Sequence, residues 1–347
     1  SYFFGLFSND SLAIQRSFSA FLSLLALVGF YWLGLELFES KTSALVAVAI
    51  AAISPFHLQY AQIIRPYSIL ITATAFSSAC FLRTIHKKKK VWWALYALSI
   101  TLGLYSNVLF GFVLIAHIAY LFILEKFKIT KSLMTGLAAI GLGMLAFLPW
   151  FIVFLTSSML GYSVEQVSES QSWIGLFKTW NKSIQGLFVD FYNPWFSPGI
   201  FRVFQGLFAP IALAIVAVSI YQLCCRAPAK PRNFLLALAI ASGLSLMLKD
   251  LLTGSAISTR LRYLIPFAVS IELIVAYCIG SWLHAKLAFS RKLGQLALLS
   301  LLVAGSFSCL SISQASSWTA FGSPHFPRTS GIIRKVDRPL VVVTNLD

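Results

Sequence analysis

Apolar runs of helix-spanning length recur along the whole chain, and Phe21 to Phe38, Leu133 to Thr156 and Leu264 to Leu283 are three of them. Each is near the ~20 residues that a helix needs to cross ~30 Å of hydrocarbon. Across the 347 residues 58% are hydrophobic and 11% charged, against about 25% charged in an average soluble domain. The expected fold is therefore an all-α polytopic membrane protein. Reading apolar runs bounded by charge gives about ten spans, near 17–38, 43–56, 66–84, 91–106, 108–124, 133–156, 204–223, 233–249, 263–283 and 294–313.

The formal charge of +16 does not read as a nucleic-acid footprint. Such a footprint clusters Lys and Arg on a soluble face with stacking aromatics, whereas here the positives are dispersed between apolar runs. More than half of the 27 Lys and Arg lie in five short loops: Lys41; Arg83 with Lys87, Lys88, Lys89 and Lys90; Lys126, Lys128 and Lys131; Arg226, Lys230 and Arg232; Lys286, Arg291 and Lys292. Short loops set orientation, so these are expected to be cytoplasmic. Residues 55–66, 157–203, 249–262 and the C-terminal tail then face outward.

This gives an expected organisation in three parts: residues 1–16 as the end of an outer loop, 17–313 as the transmembrane domain, and 314–347 as the start of an outer C-terminal segment that stops early. The 157–203 loop carries Trp173, Trp180, Phe191, Tyr192 and Trp195 among polar residues. It is too polar to span, and an interfacial amphipathic helix is expected near 172–189 with its aromatics at headgroup level. The tail ends in a strand-like "PLVVVTN". Cys80, Cys224, Cys225, Cys278 and Cys309 show no CxxC spacing, so neither a disulfide nor a zinc site is inferred.

The polar residues with candidate chemistry lie mostly in two outward stretches. In "SPFHLQYAQIIRPY" (54–67), His57, Gln59, Tyr60, Gln62, Arg65 and Tyr67 fall within eleven residues, between Pro55 and Pro66, which stiffen the backbone and mark helix limits. A helical turn there would bring Tyr60 and Gln62 near Arg65. The second stretch holds Arg260, Arg262 and Tyr263 before a span that opens with Pro266. A guanidinium at a membrane surface can snorkel to lipid phosphate, or its planar fork can donate paired charge-assisted hydrogen bonds to a phosphate ligand. Glu272 is expected inside a span, where a charge costs roughly 2.5–3.5 kcal/mol, so it needs a partner or a proton. His117 reads as a satisfied polar residue of the bundle, and His57 as exposed and, alone, no metal site. Asp10, Glu165, Glu169, Asp190 and Asp250 are outer acids without a specific arrangement.

"RSFSAFLSLLALVGFYWLGLELF" (16–38), "SPFHLQYAQIIRPYSIL" (54–70), "YSN" (105–107) and "RLRYLIPF" (260–267) together resemble bacterial glycosyltransferase family 39, a branch of the GT-C superfamily that includes relatives of protein mannosyltransferases. The resemblance covers most of residues 10–313 and implies a GT-C-type helix bundle with outer interfacial loop helices. It implies transfer of a sugar from a polyprenyl-phosphate carrier to a lipid, glycan or protein acceptor on the extracytoplasmic face of the cell membrane. Arg65, Arg260 and Arg262 would then serve the donor phosphate, and His57, Tyr60, Gln62, Tyr67 and Tyr263 would shape the substrate pocket. The family's essential acid belongs to its first outer loop and is expected upstream of Ser1, so no catalytic residue is named. No cofactor is evident, although a divalent metal at the donor phosphate fits the same chemistry; the expected partners are that donor and membrane lipid. Where the family string reads Gln-Glu-x-Arg, this chain has Gln62 followed by Ile63. Two other readings stay open: a truncated or degenerate relative that binds isoprenoid carrier or partner proteins without turnover, and a transporter or flippase.

Overall fold

The computed structural model describes residues 12–63, 65–87, 89–159, 172–191 and 199–314. Asp10, Glu165, Glu169 and the "PLVVVTN" segment lie outside them. Among the described residues the fold is all helical. Helix α1 spans Leu12–Phe38, α2 Lys41–Ala52, α3 Pro55–Gln62, α4 Tyr67–Lys87 and α5 Lys90–Ser106. A 3-10 turn at Val108–Phe110 leads into α6, Gly111–Leu124, followed by α7 at Lys131–Met159 and α8 at Trp173–Gln185. Then come α9, Ile200–Arg226; α10, Ala229–Ala239, which continues through a π turn at Ile240–Leu244 into α11, Ser245–Thr253; α12, Ile265–Leu283; and α13, Ala288–Gln314.

Every expected span is helical, but fewer than ten of the helices are long and apolar enough to cross a membrane. Among the described residues 7 meet that condition, or 8 if α2 and α3 are one span bent by 55°. The expected span at 43–56 is thus the first arm of a broken helix. The chain turns at Ile53 and Ser54, and Pro55 starts α3, the one helical position where a missing N–H is no loss. Helix α5, with 17 residues, and the Val108–Leu124 segment fall short.

Burial orders the bundle. Nearly all of α12 is enclosed, from Ile265 to Gly280, whereas α7 and α9 turn Leu142, Leu145, Leu148, Val203 and Leu207 outward. A run of exposed apolar side chains of this length suits lipid and not water. Small residues let the central helices approach closely. A Cβ on Gly280 of α12 would stand 2.2 Å from Ser43 Oγ on α2, and one on Gly243 in the π turn 2.2 Å from the Phe267 ring.

Polar contacts separate two ends. At one end Glu36 accepts from Arg83 Nη1 at 2.7 Å, meets His86 Nδ1 at 3.1 Å, and accepts from Trp32 Nε1 at 3.3 Å; Lys230 Nζ reaches Glu39 at 2.9 Å. These residues flank the lysine-rich loops. At the opposite end α3, α8, the 186–191 strand of chain and the 257–264 turns meet one another.

Candidate functional site

The site is built where α3 and the start of α4 meet the turns that precede α12. In α3, one turn apart, Phe56 and Tyr60 are buried and stack edge to face at 4.9 Å. Tyr60 meets Tyr67, the first residue of α4, in the same manner at 4.9 Å. Arg262 lies in the 3-10 turn Leu261–Leu264 and is only 8% exposed. Its guanidinium carbon stands 4.9 Å from the centre of the Tyr263 ring, and Nη2 donates to the Tyr263 hydroxyl at 3.2 Å. Tyr67 is a further hydrogen-bonding neighbour of that guanidinium, and Tyr60 feels its charge. The two separate stretches of sequence therefore come together around Arg262.

The other expected site residues take different places. Arg65 is exposed, on a tight turn in which its N–H donates to Ile63 O at 2.8 Å and its carbonyl accepts from Tyr67 N at 2.7 Å. Gln62 is also exposed, while Tyr60 turns inward, so the expected gathering of Tyr60 and Gln62 on Arg65 is not formed. Arg260 and Tyr263 are half-buried. His57 corrects the sequence reading: it is not exposed but 8% accessible, with Nε2 at 2.7 Å from Glu272 Oε2. Helix α3 folds back onto α12, and Phe30 and Phe56 pack edge-on against the imidazole. Glu272 itself is fully buried, and its Oε1 has no partner among the described residues. Glu272, expected to need a partner or a proton, has a partner 215 residues away in sequence. His117 behaves as expected, enclosed between Ser78 at 3.1 Å and Tyr96 at 2.8 Å and stacked on Phe81.

Two acids that spacing alone could not place are fixed here. Gln59 Nε2 donates to Asp190 Oδ2 at 2.9 Å, and the Asp190 N–H donates to Ser308 Oγ at 2.9 Å, so the 186–191 segment straps α3 to α13. Ser54 Oγ donates to Leu187 O at 2.7 Å in the same strap. Asp250 is buried beneath the turns that lead to Arg262. Their partners lie 131 and 8 residues away, and no local pattern announces them. Among the described residues no group of three or more His, Cys, Asp or Glu side chains is placed to hold a metal ion.

Chemically, the arrangement offers one buried guanidinium walled by tyrosines and two more accessible guanidiniums at the same end of the bundle. An arginine of this kind can donate to an anion such as phosphate in a planar fork, and such bonds strengthen where water is excluded. No curated protein matches the chain. Residues 1–153, a little under half of the chain, match the family model described as dolichyl-phosphate-mannose-protein mannosyltransferase, a match that takes in α1 to α6, most of α7 and the turn bearing Arg65, and over that part the chain is similar to GT-C-type membrane glycosyltransferases.

Proposed function

We propose that the protein transfers a sugar from a polyprenyl-phosphate donor to a lipid, glycan or protein acceptor at the extracytoplasmic face of the membrane. The observation that carries this reading is Arg262, a buried guanidinium brought against Tyr60, Tyr67 and Tyr263 at the end opposite the lysine-rich loops. The positive-inside rule puts those loops in the cytosol and the arginine cluster outside. The family description names a dolichyl-phosphate sugar donor, which is a lipid-linked phosphate of this class.

In this mechanism the sugar's anomeric carbon loses its bond to the carrier phosphate oxygen as it gains one to the acceptor's nucleophilic atom, whose proton leaves to solvent, and negative charge grows on the departing lipid phosphate. Arg262, held in place by Tyr263 before substrate arrives, stabilises that charge at no reorganisation cost. Arg65, exposed at the rim, and Arg260 draw the donor headgroup to the site. Tyr60 and Tyr67 form the apolar and hydroxyl-bearing wall against which the donor lies. His57 acts from behind, fixing α3 to α12 through Glu272.

The test is sugar transfer in proteoliposomes from a polyprenyl-phosphate donor labelled in its sugar. The expected result is release of polyprenyl phosphate together with label on a membrane acceptor. Donor that is bound but left intact would overturn the reading and favour a carrier-binding relative, which Ile63 in place of the family's glutamate also favours. Donor carried across the bilayer intact would favour a flippase.

A further inference from the structure

We infer that Asp250 is a positioning residue, which through Ser258 sets the Arg260–Arg262 turn and through Trp180 ties that turn to helix α8; the inference rests on the function proposed above. Helix α11 stops at Gly254, whose φ of +68° lets the chain reverse, and its N–H donates to Asp250 O at 2.9 Å. The reversed chain folds over the Asp250 carboxylate. Oδ2 accepts from both the N–H and the hydroxyl of Ser258 at 2.6 Å each, and Oδ1 accepts from Ser255 Oγ at 2.5 Å. Ser258 Oγ in turn accepts from Trp180 Nε1 at 2.7 Å.

Asp250 and Ser258 are fully buried and Trp180 nearly so. A buried carboxylate is costly unless its oxygens are satisfied, and here three donors satisfy them. Two residues beyond Ser258 comes Arg260, and four beyond it Arg262. Helix α8 docks by Leu176 and Trp180 and turns Trp173, Ile174 and Phe177 outward with Lys178 and Lys182. Trp180 Nε1 is therefore the bond that links a surface-lying helix to the phosphate-facing turn. Asp250 does not touch substrate; it fixes where the guanidiniums stand.

Hydrogen exchange on the complete protein, with donor kinetics beside it, tests the inference. Asp250→Ala is expected to raise exchange in 256–263 and 173–185 together while α12 stays protected. It should lower kcat/KM for the donor about tenfold or more, the loss of a bond to a charged group, with the acceptor KM unchanged. Asp250→Asn, which keeps an acceptor oxygen for Ser258, should restore most of it. If Asp250→Ala does not fold, Ser258→Ala and Trp180→Phe each remove one link, and Trp180→Phe should free 173–185. Unchanged exchange, or faster exchange with unchanged donor kinetics, would overturn the inference. A wild type without transfer activity would instead overturn the function reading, and exchange alone would then decide the clasp.

Discussion

At the scale of single residues, the side chains that matter most are those whose charge is buried. Glu272 lies fully enclosed in α12 with His57 as its partner. Such a pair adds little net stability over an apolar one, but removing one partner leaves a buried polar group without its hydrogen bond, at about 1–3 kcal/mol. His57→Ala is expected to lower the detergent melting temperature strongly, and a His57→Ala protein that melts like wild type would contradict the pairing. Sequence alone required that Glu272 have a partner or a proton, because of the cost of a charge in hydrocarbon. It could not say which, since His57 reads as a loop residue until α3 is folded onto α12. Arg65 and Arg262 show the same limit: both stand out as arginines against the positive-inside bias, yet only packing shows that Arg262 is enclosed and Arg65 exposed.

At the scale of helices, the apolar periods and charged boundaries were sufficient to locate the long helices, but the expected span at 43–56 ran straight through the break at Ile53 and Ser54, which Pro55 marks only once the chain is folded. Interhelical registers were not legible, because they depend on which small residue faces which neighbour. Gly280 is the clearest instance: its missing Cβ admits Ser43 of α2 against α12. Gly280→Ala places an atom within 2.8 Å of the Ser43 backbone, and overpacking of this kind costs about 1–3 kcal/mol. Gly206→Ala, where nothing lies within 4 Å of the added atom, is the matched control. Thermal melting should separate the two; equal melting temperatures would show that α2 and α12 yield without cost. The amphipathic helix in the 157–203 loop was legible from aromatics set among polar residues, but its anchor was not, because Trp180 and Ser258 are 78 positions apart.

At the scale of the whole molecule, dispersed positive charge gave the two ends, and the folded chain keeps them apart. Glu39 and Lys230 join the α1–α2 turn to the start of α10 at the lysine-rich end, 2.9 Å apart. The Lys230 ammonium, by hydrogen bond and charge, holds the Glu39 carboxyl below its ordinary range. A carboxyl depressed in the folded state stabilises above its unfolded value of about 4.3 and loses that contribution as pH falls through the lower folded value. Glu39 is exposed, so the contribution is under about 1 kcal/mol. Melting curves between neutral and acid pH should show Lys230→Ala slightly less stable than wild type at neutral pH, with the difference vanishing in acid; a difference that persists in acid would assign it to packing.

In the proposed function a buried arginine at the end opposite the lysine-rich loops stabilises the phosphate that leaves during sugar transfer, and the measurement that decides this is the rate of transfer by Arg262→Ala in proteoliposomes. Loss of one preorganised donor to a developing anion costs about 10²–10³-fold in kcat, and Arg262→Lys should recover part of that because it keeps the charge without the fork. A folded Arg262→Ala protein that transfers sugar from the polyprenyl-phosphate donor at the wild-type rate would contradict it.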